Sequence, residues 1–159
     1  ADAVEPLILA NPARPLDRPG HTRSYAELQG VRALVLEDDE GTLQAIKTLF
    51  ELSGIVVQGT RTVAQALREL DHFKPHVLIC DLALSGEDGL SFIQQVRARD
   101  PVRGGAVPAM ALTALTGHED RERAISAGFQ LHVAKPVDID LLREAVVRLL
   151  RNDAASRRS

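Results

Sequence analysis

The chain has 159 residues, 19 Lys and Arg against 22 Asp and Glu, a formal net charge of −3 and a single cysteine. That length is one ordinary domain plus some extra chain, and a domain of ~120 to 130 residues buries roughly two thirds of its unfolded surface without staples. The near-balanced charge leaves no footprint for nucleic acid or a membrane surface, Cys80 alone excludes an internal disulfide and sets a reducing, cytoplasmic compartment as the expectation, and the apolar runs fall far short of the ~18 residues of a membrane span.

Residues 1–30 hold Pro6, Pro12, Pro15 and Pro19, half of the eight prolines, and carry no helical or alternating period. They read as a Pro-rich linker or N-terminal tail, with an arm docking through "PLIL" as the second reading. The opening "ADAVEPLILANPARP" has no basic stretch before its short apolar piece, so it is not a secretion signal. It lacks an initiator Met, and the expectation is a start inside a longer gene product or after processing.

From Gly30 the pattern becomes regular. "VRALVLE" (31–37) is a first strand, and "GTLQAIKTLFELSG" a helix through Leu43, Ile46, Leu49 and Phe50 that Gly54 stops. "IVVQGT" is the second strand, and "TVAQALRELDHF" the second helix through Val63, Ala66, Leu67 and Leu70. Pro75 breaks before "HVLICD", the third strand, and "GEDGLSFIQQVRARD" supplies the third helix. "AVPAMALTA" is the fourth strand, its first half weakened by Pro108. "HEDRERAISAG" is a helix ending at Gly128, "LHVAKP" the fifth strand, and "DIDLLREAVVRLLR" the fifth helix, capped by Asp138 and ending near Arg151. Five strands alternating with five helices imply an α/β fold, a doubly wound parallel sheet covered on both faces.

In such sheets, sites lie outside the carboxyl ends of the strands. The first strand ends in Glu37, Asp38 and Asp39, the third in Asp81, the fourth near Thr113, and the fifth in Lys135. Packed carboxylates cannot all stay ionised without a cation, and an all-oxygen set without His or Cys points to a hard divalent ion, Mg²⁺ above others. Thr113 as hydroxyl donor and Lys135 as point charge suit the oxygens of a phosphoryl group. A carboxylate nucleophile forming an aspartyl phosphate is known chemistry, and Asp81 is central among these groups. Each residue alone has a plainer reading: "EDDE" as a solvated loop or helix N-terminus, Asp81 as a cap, Thr113 as a strand residue. Their joint placement at one sheet edge favours the chemical reading.

The pieces "LVLEDDEGTL", "HVLICDLALSGEDG", "ALTA" and "AKPVD", in this order and spacing, are those of a family. The chain from 31 to 151 resembles the receiver domain of two-component response regulators. The resemblance implies a flavodoxin-like strand order 2-1-3-4-5, Asp81 as phosphoacceptor, and Mg²⁺ held by Asp38, Asp81 and the backbone carbonyl of Ala83, with Glu37 acting through water. It implies Thr113 as the switch hydroxyl, small Ala114 leaving access beside it, Lys135 as the family's lysine, and Pro136 as its frequently cis partner. A phosphohistidine on a kinase dimerisation domain or a histidine phosphotransfer domain would donate, and the surface of the fourth helix, fifth strand and fifth helix would respond.

Two positions depart from the family pattern. His132 stands where the switch aromatic usually sits, and Leu84-Ser85 where Met-Pro is common. Cys80 is expected to point away from Asp81 as a packed thiol, and His21, His72, His76 and His118 are read as surface residues.

Residues 152–159 are read as a short C-terminal tail with no room for an output domain. Together with "AELQGVRALVLEDD" after a Pro-rich stretch, this favours the receiver module of a hybrid histidine kinase, a parent that would itself be a protein-histidine kinase and could be anchored in a membrane through another part. A stand-alone single-domain regulator is the second reading, and a phosphorylation-independent docking module, kept open by His132, the third. A Mg²⁺-dependent phosphatase of the haloacid dehalogenase type would need a second Asp two residues after the nucleophile, where Ala83 stands. Homodimerisation is left open.

Overall fold

A computed structural model describes residues 26–84, 87–114 and 118–158. Its main sheet is built from β1 (Arg32–Leu36), β2 (Val56–Thr60), β3 (Val77–Asp81), β4 (Ala109–Thr113) and β5 (Leu131–Ala134). All pairs are parallel, in the order β2-β1-β3-β4-β5. The helices are α1 (Glu40–Leu52), α2 (Val63–Phe73), α3 (Gly89–Arg97), α4 (His118–Ala127) and α5 (Ile139–Arg158). This is the five-stranded, doubly wound α/β fold that the alternation implied.

Strand alternation divides the core in two. Ala33, Val35, Val77, Ile79, Met110, Leu112, Leu131 and Val133 face α1 and α5. Leu34, Leu36, Leu78, Cys80, Ala109 and Ala111 face α2, α3 and α4. β3 is buried along its whole length, as a central strand covered on both faces must be. Pro108 precedes β4 rather than interrupting it, so the ladder loses no donor.

The helix ends obey local chemistry. Asp39 accepts from the Thr42 amide and caps α1, Thr62 caps α2, and Asp88 caps α3. Asp138 accepts from the amides of Asp140 and Leu141 at 2.8 and 3.2 Å at the start of α5, as expected. Gly54, at φ +89°, takes the left-handed turn after α1 that a side chain disfavours. On the far side of the sheet Arg97, whose burial lowers its pKa to about 10, ties α3 to the carbonyls of Gly128 and Gly105 and to the Gln130 amide oxygen.

Both proposed edges of the domain need correction. Residues 26–30, assigned to the tail, are part of the fold: Ala26–Leu28 form a 3-10 turn, Leu28 is completely buried, and Glu27 pairs with Arg151 at 2.8 Å. Burying Leu28 contributes about 2 kcal/mol toward the ~1–2 kcal/mol per residue that ordering the turn costs, and the amide hydrogen bonds of Gln29, Gly30 and Val31 and the Glu27–Arg151 pair add to it. Residues 1–25, with the linker and docking readings that concern them, lie outside the described residues. At the other end α5 continues to Arg158, through most of the segment read as a tail, because "NDAASRR" contains no Gly or Pro to stop it. A two-residue antiparallel ladder, Ala83–Leu84 with Glu87–Asp88, also stands where the third helix was expected to begin.

Candidate functional site

The carboxyl ends of β1, β3, β4 and β5 converge as the strand order requires. Register pairs Leu36 with Cys80, Asp81 with Leu112, and Thr113 with Ala134. Glu37 and Asp81 therefore follow neighbouring positions on adjacent strands, and the Lys135 amide closes on the Thr113 carbonyl at 2.8 Å.

Carboxylate oxygens of Glu37, Asp38 and Asp81 all lie within 4.8 Å of one another. Glu37 is fully buried and Asp81 nearly so. Lys135 Nζ reaches both, at 3.1 Å from Glu37 Oε1 and 3.2 Å from Asp81 Oδ2. The Asp39 amide donates to Glu37 Oε2 and the Ala83 amide to Asp81 Oδ1, each at 3.0 Å. Thr113 is buried at the end of β4, and the Lys135–Pro136 peptide is cis.

The electrostatics follow from burial. Desolvation pushes the Glu37 carboxyl above its usual range; the Asp39 amide opposes this, the Asp81 charge adds to it, and the pull of Lys135 does not reverse it. Burial pulls the Lys135 ammonium down, but its hydrogen bond to Glu37 and the charges of Asp81 and Glu37 outweigh that and raise it. Glu37 and Asp81 thus share one ammonium, with a third carboxylate, that of Asp38, beside them. That excess of negative charge, on oxygen donors alone, fits a hard divalent cation.

Asp39 belongs elsewhere. It is exposed, caps α1 through Thr42, and its carboxyl is held below the usual range by those hydrogen bonds. The plain reading of "EDDE" as a helix start therefore fits Asp39, while Glu37 and Asp38 lie in the cluster with Asp81. Gly89 explains how α3 can begin against the pocket: a Cβ there would come within 2.6 Å of the Asp81 carbonyl oxygen and 2.9 Å of Leu82 Cα. Cys80 is buried in the α2–α3–α4 core, away from the pocket, and burial pushes its thiol well up. His132 is fully buried on β5. His72 and His76 are exposed, while the side chains of His21 and His118 lie outside the described residues. Sequence reasoning gave no role to Arg61, which donates to the Asp38 carbonyl at 3.0 Å; its only signal was a lone cation following the second strand.

A model of the response regulator receiver domain matches residues 33–147. The chain belongs to that family. Similar to this receiver is a 14.6 kDa protein of Leptolyngbya boryana, 35% identical over 111 residues, covering 69% of this chain and 83% of that one. The virulence transcriptional regulatory protein PhoP of Salmonella choleraesuis is 32% identical over 124 residues, 78% of this chain and 54% of PhoP. Hybrid signal transduction histidine kinase D of Dictyostelium discoideum is 29% identical over 129 residues, only 8% of that kinase. The receiver thus spans about half of PhoP and a small part of the kinase. Among solved structures, the receiver domain of Francisella response regulator 1452 superposes with a TM-score of 0.70 at 27% identity, covering 78% of this chain and 99% of that one. The receiver domain of a Pseudomonas aeruginosa PAO1 sensor histidine kinase gives 0.69 at 28%, covering 76% and 98%, and its structure holds a magnesium ion in the active-site cleft. Among the described residues, no helix is long and apolar enough to cross a membrane.

Proposed function

We propose that this receiver accepts a phosphoryl group from a phosphohistidine onto Asp81. The observation that carries the reading is the meeting of Asp81 with Glu37 and Asp38 within 4.8 Å and with Lys135 at 3.2 Å. Asp38, Asp81 and the Ala83 carbonyl, with Glu37 behind them, would hold a Mg²⁺, which would supply positive charge at the phosphoryl oxygens. An Asp81 oxygen attacks phosphorus in line; the P–N bond breaks and its electron pair returns to the partner's imidazole. Lys135 offsets the charge that develops on the phosphoryl oxygens. Thr113 then donates to a phosphoryl oxygen, and its shift is passed to β5, which carries His132 two residues before its Ala134 partner, and to the α4–β5–α5 surface. Water finally hydrolyses the acyl phosphate.

The donor is a kinase dimerisation domain or a histidine phosphotransfer domain, in the cytoplasm. As its setting we favour a receiver module of a hybrid histidine kinase, a class represented among the relatives. The match across 83% of a 14.6 kDa relative supports the stand-alone regulator as the second reading. The gene sequence upstream of Ala1 separates the two.

The test of the chemistry is intact-mass measurement after acetyl phosphate and Mg²⁺, on wild type and Asp81→Asn. One added phosphoryl group in wild type alone is the expected result. No adduct under forcing conditions would leave a docking module, and turnover of unrelated phosphoesters a phosphatase.

A further inference from the structure

Glu37 to Glu40 are four successive acids, and with Asp81 they make five carboxylates at one sheet edge. Each of the four is fastened differently. Glu37 is held by Lys135 and the Asp39 amide, and Asp39 caps α1. Asp38 and Glu40 meet a residue from another strand connection: Arg61, directly after β2, donates one Nη to the Asp38 carbonyl at 3.0 Å and sets the other 3.7 Å from Glu40 Oε1. The base of Arg61 is itself fixed, because its amide donates to Gln65 Oε1 at 3.0 Å and the preceding Thr60 carbonyl accepts the Glu37 amide at 3.0 Å.

We propose that Arg61 is a positioning residue for the acidic pocket: it clamps the Asp38 peptide and so presents the Asp38 carboxylate to a divalent cation. The exposed pair with Glu40 contributes little by itself. A hydrogen bond to a backbone carbonyl, made by a guanidinium anchored just past the end of the neighbouring strand, fixes a loop peptide in a way a diffuse charge does not. The proposal rests on the reading of Glu37, Asp38 and Asp81 as cation ligands, and its sign separates it from mere charge balance. If Arg61 acted only as a nearby positive charge, removing it would tighten cation binding. If it positions Asp38, removing it weakens binding, as loss of an outer partner of a metal ligand generally does.

The experiment titrates Mg²⁺ into the full chain by calorimetry and by amide chemical shifts, for wild type, Arg61→Ala and Arg61→Lys, with thermal melts as the control for folding. Arg61→Ala is expected to raise the Kd about fivefold with its melting temperature kept, and Arg61→Lys, which retains a donor of similar reach, to restore most of the affinity. An unchanged or lower Kd in Arg61→Ala overturns the proposal, and so does an equal rise in both variants. In the metal-free protein the Asp39 amide nitrogen belongs to the peptide whose carbonyl Arg61 holds, so its shift must move in Arg61→Ala and recover in Arg61→Lys. A wild type that binds no Mg²⁺ would sink the ligand reading alone; a stationary Asp39 resonance would sink the clamp.

Discussion

Lys135→Met removes the ammonium that Glu37 and Asp81 share while keeping most of the aliphatic stem. At 3.1 and 3.2 Å, and with an effective dielectric of about 20, each contact amounts to roughly 5 kcal/mol of gross Coulomb energy. Desolvation of the lost ammonium offsets much of this, and breaking a buried pair by removing one partner typically costs ~3–5 kcal/mol. The pocket has one response available: Glu37, already raised by burial and by the Asp81 charge, can keep its proton. That response is cheap at low pH and expensive at high pH. We therefore expect a deficit of about 3 kcal/mol in metal-free urea unfolding at pH 8, shrinking to about 1 kcal/mol at pH 5. The sign follows from linkage: with the Glu37 pKa raised on folding, the native state binds more protons than the unfolded chain above the ordinary value of 4.5, so stability falls as pH rises. Saturating Mg²⁺ at pH 8 should recover most of the deficit. In wild type the contribution of Lys135 is complete below 10.5 and fades only as pH climbs through its raised folded value. A deficit identical at pH 5 and pH 8 and indifferent to Mg²⁺ would assign the loss to packing of the stem and refute the charge argument.

Three further outcomes are expected. Mg²⁺ affinity of the wild type should weaken as pH falls through the elevated Glu37 range, above 4.5, because protonating Glu37 removes negative charge beside the cation; isothermal titration across pH 5 to 8 checks it, and a flat profile would remove Glu37 from the cation's surroundings. Gly89→Ala places a methyl against the Asp81 carbonyl oxygen and Leu82, so it should cost about 1–3 kcal/mol in denaturant unfolding and slow acetyl-phosphate labelling more than Lys74→Ala, a change remote from the pocket. Cys80, buried with its thiol pushed up, should resist alkylation in native protein and react fully in urea; fast native labelling would contradict its packing in the α2–α3–α4 core.

How far the chain could be read without coordinates depended on whether a feature repeats along the chain or is made by it in space. Strands and helices announce themselves by period, so β3 ends at Asp81 and Asp138 caps α5 as the residues imply. The edges were misjudged where a short-range signal was weak: Leu28 is one apolar residue without a period around it, yet it fills a space beside α5 that only the packed sheet creates. The site divides in the same way. Glu37, Asp38, Asp81, Thr113 and Lys135 could be gathered because strand ends at one edge must lie together. Arg61 could not, because its part is a hydrogen bond to a main-chain carbonyl, and every residue has one of those. "EDDE" shows the principle in four residues. Their shared charge hides four different fates: a buried carboxylate against Lys135, a cluster member whose carbonyl accepts from Arg61, a helix cap, and an exposed partner of the same arginine. Burial and donor geometry assign those fates, so the residues that tune a pocket are those whose partners are backbone atoms, and structure is where they become visible.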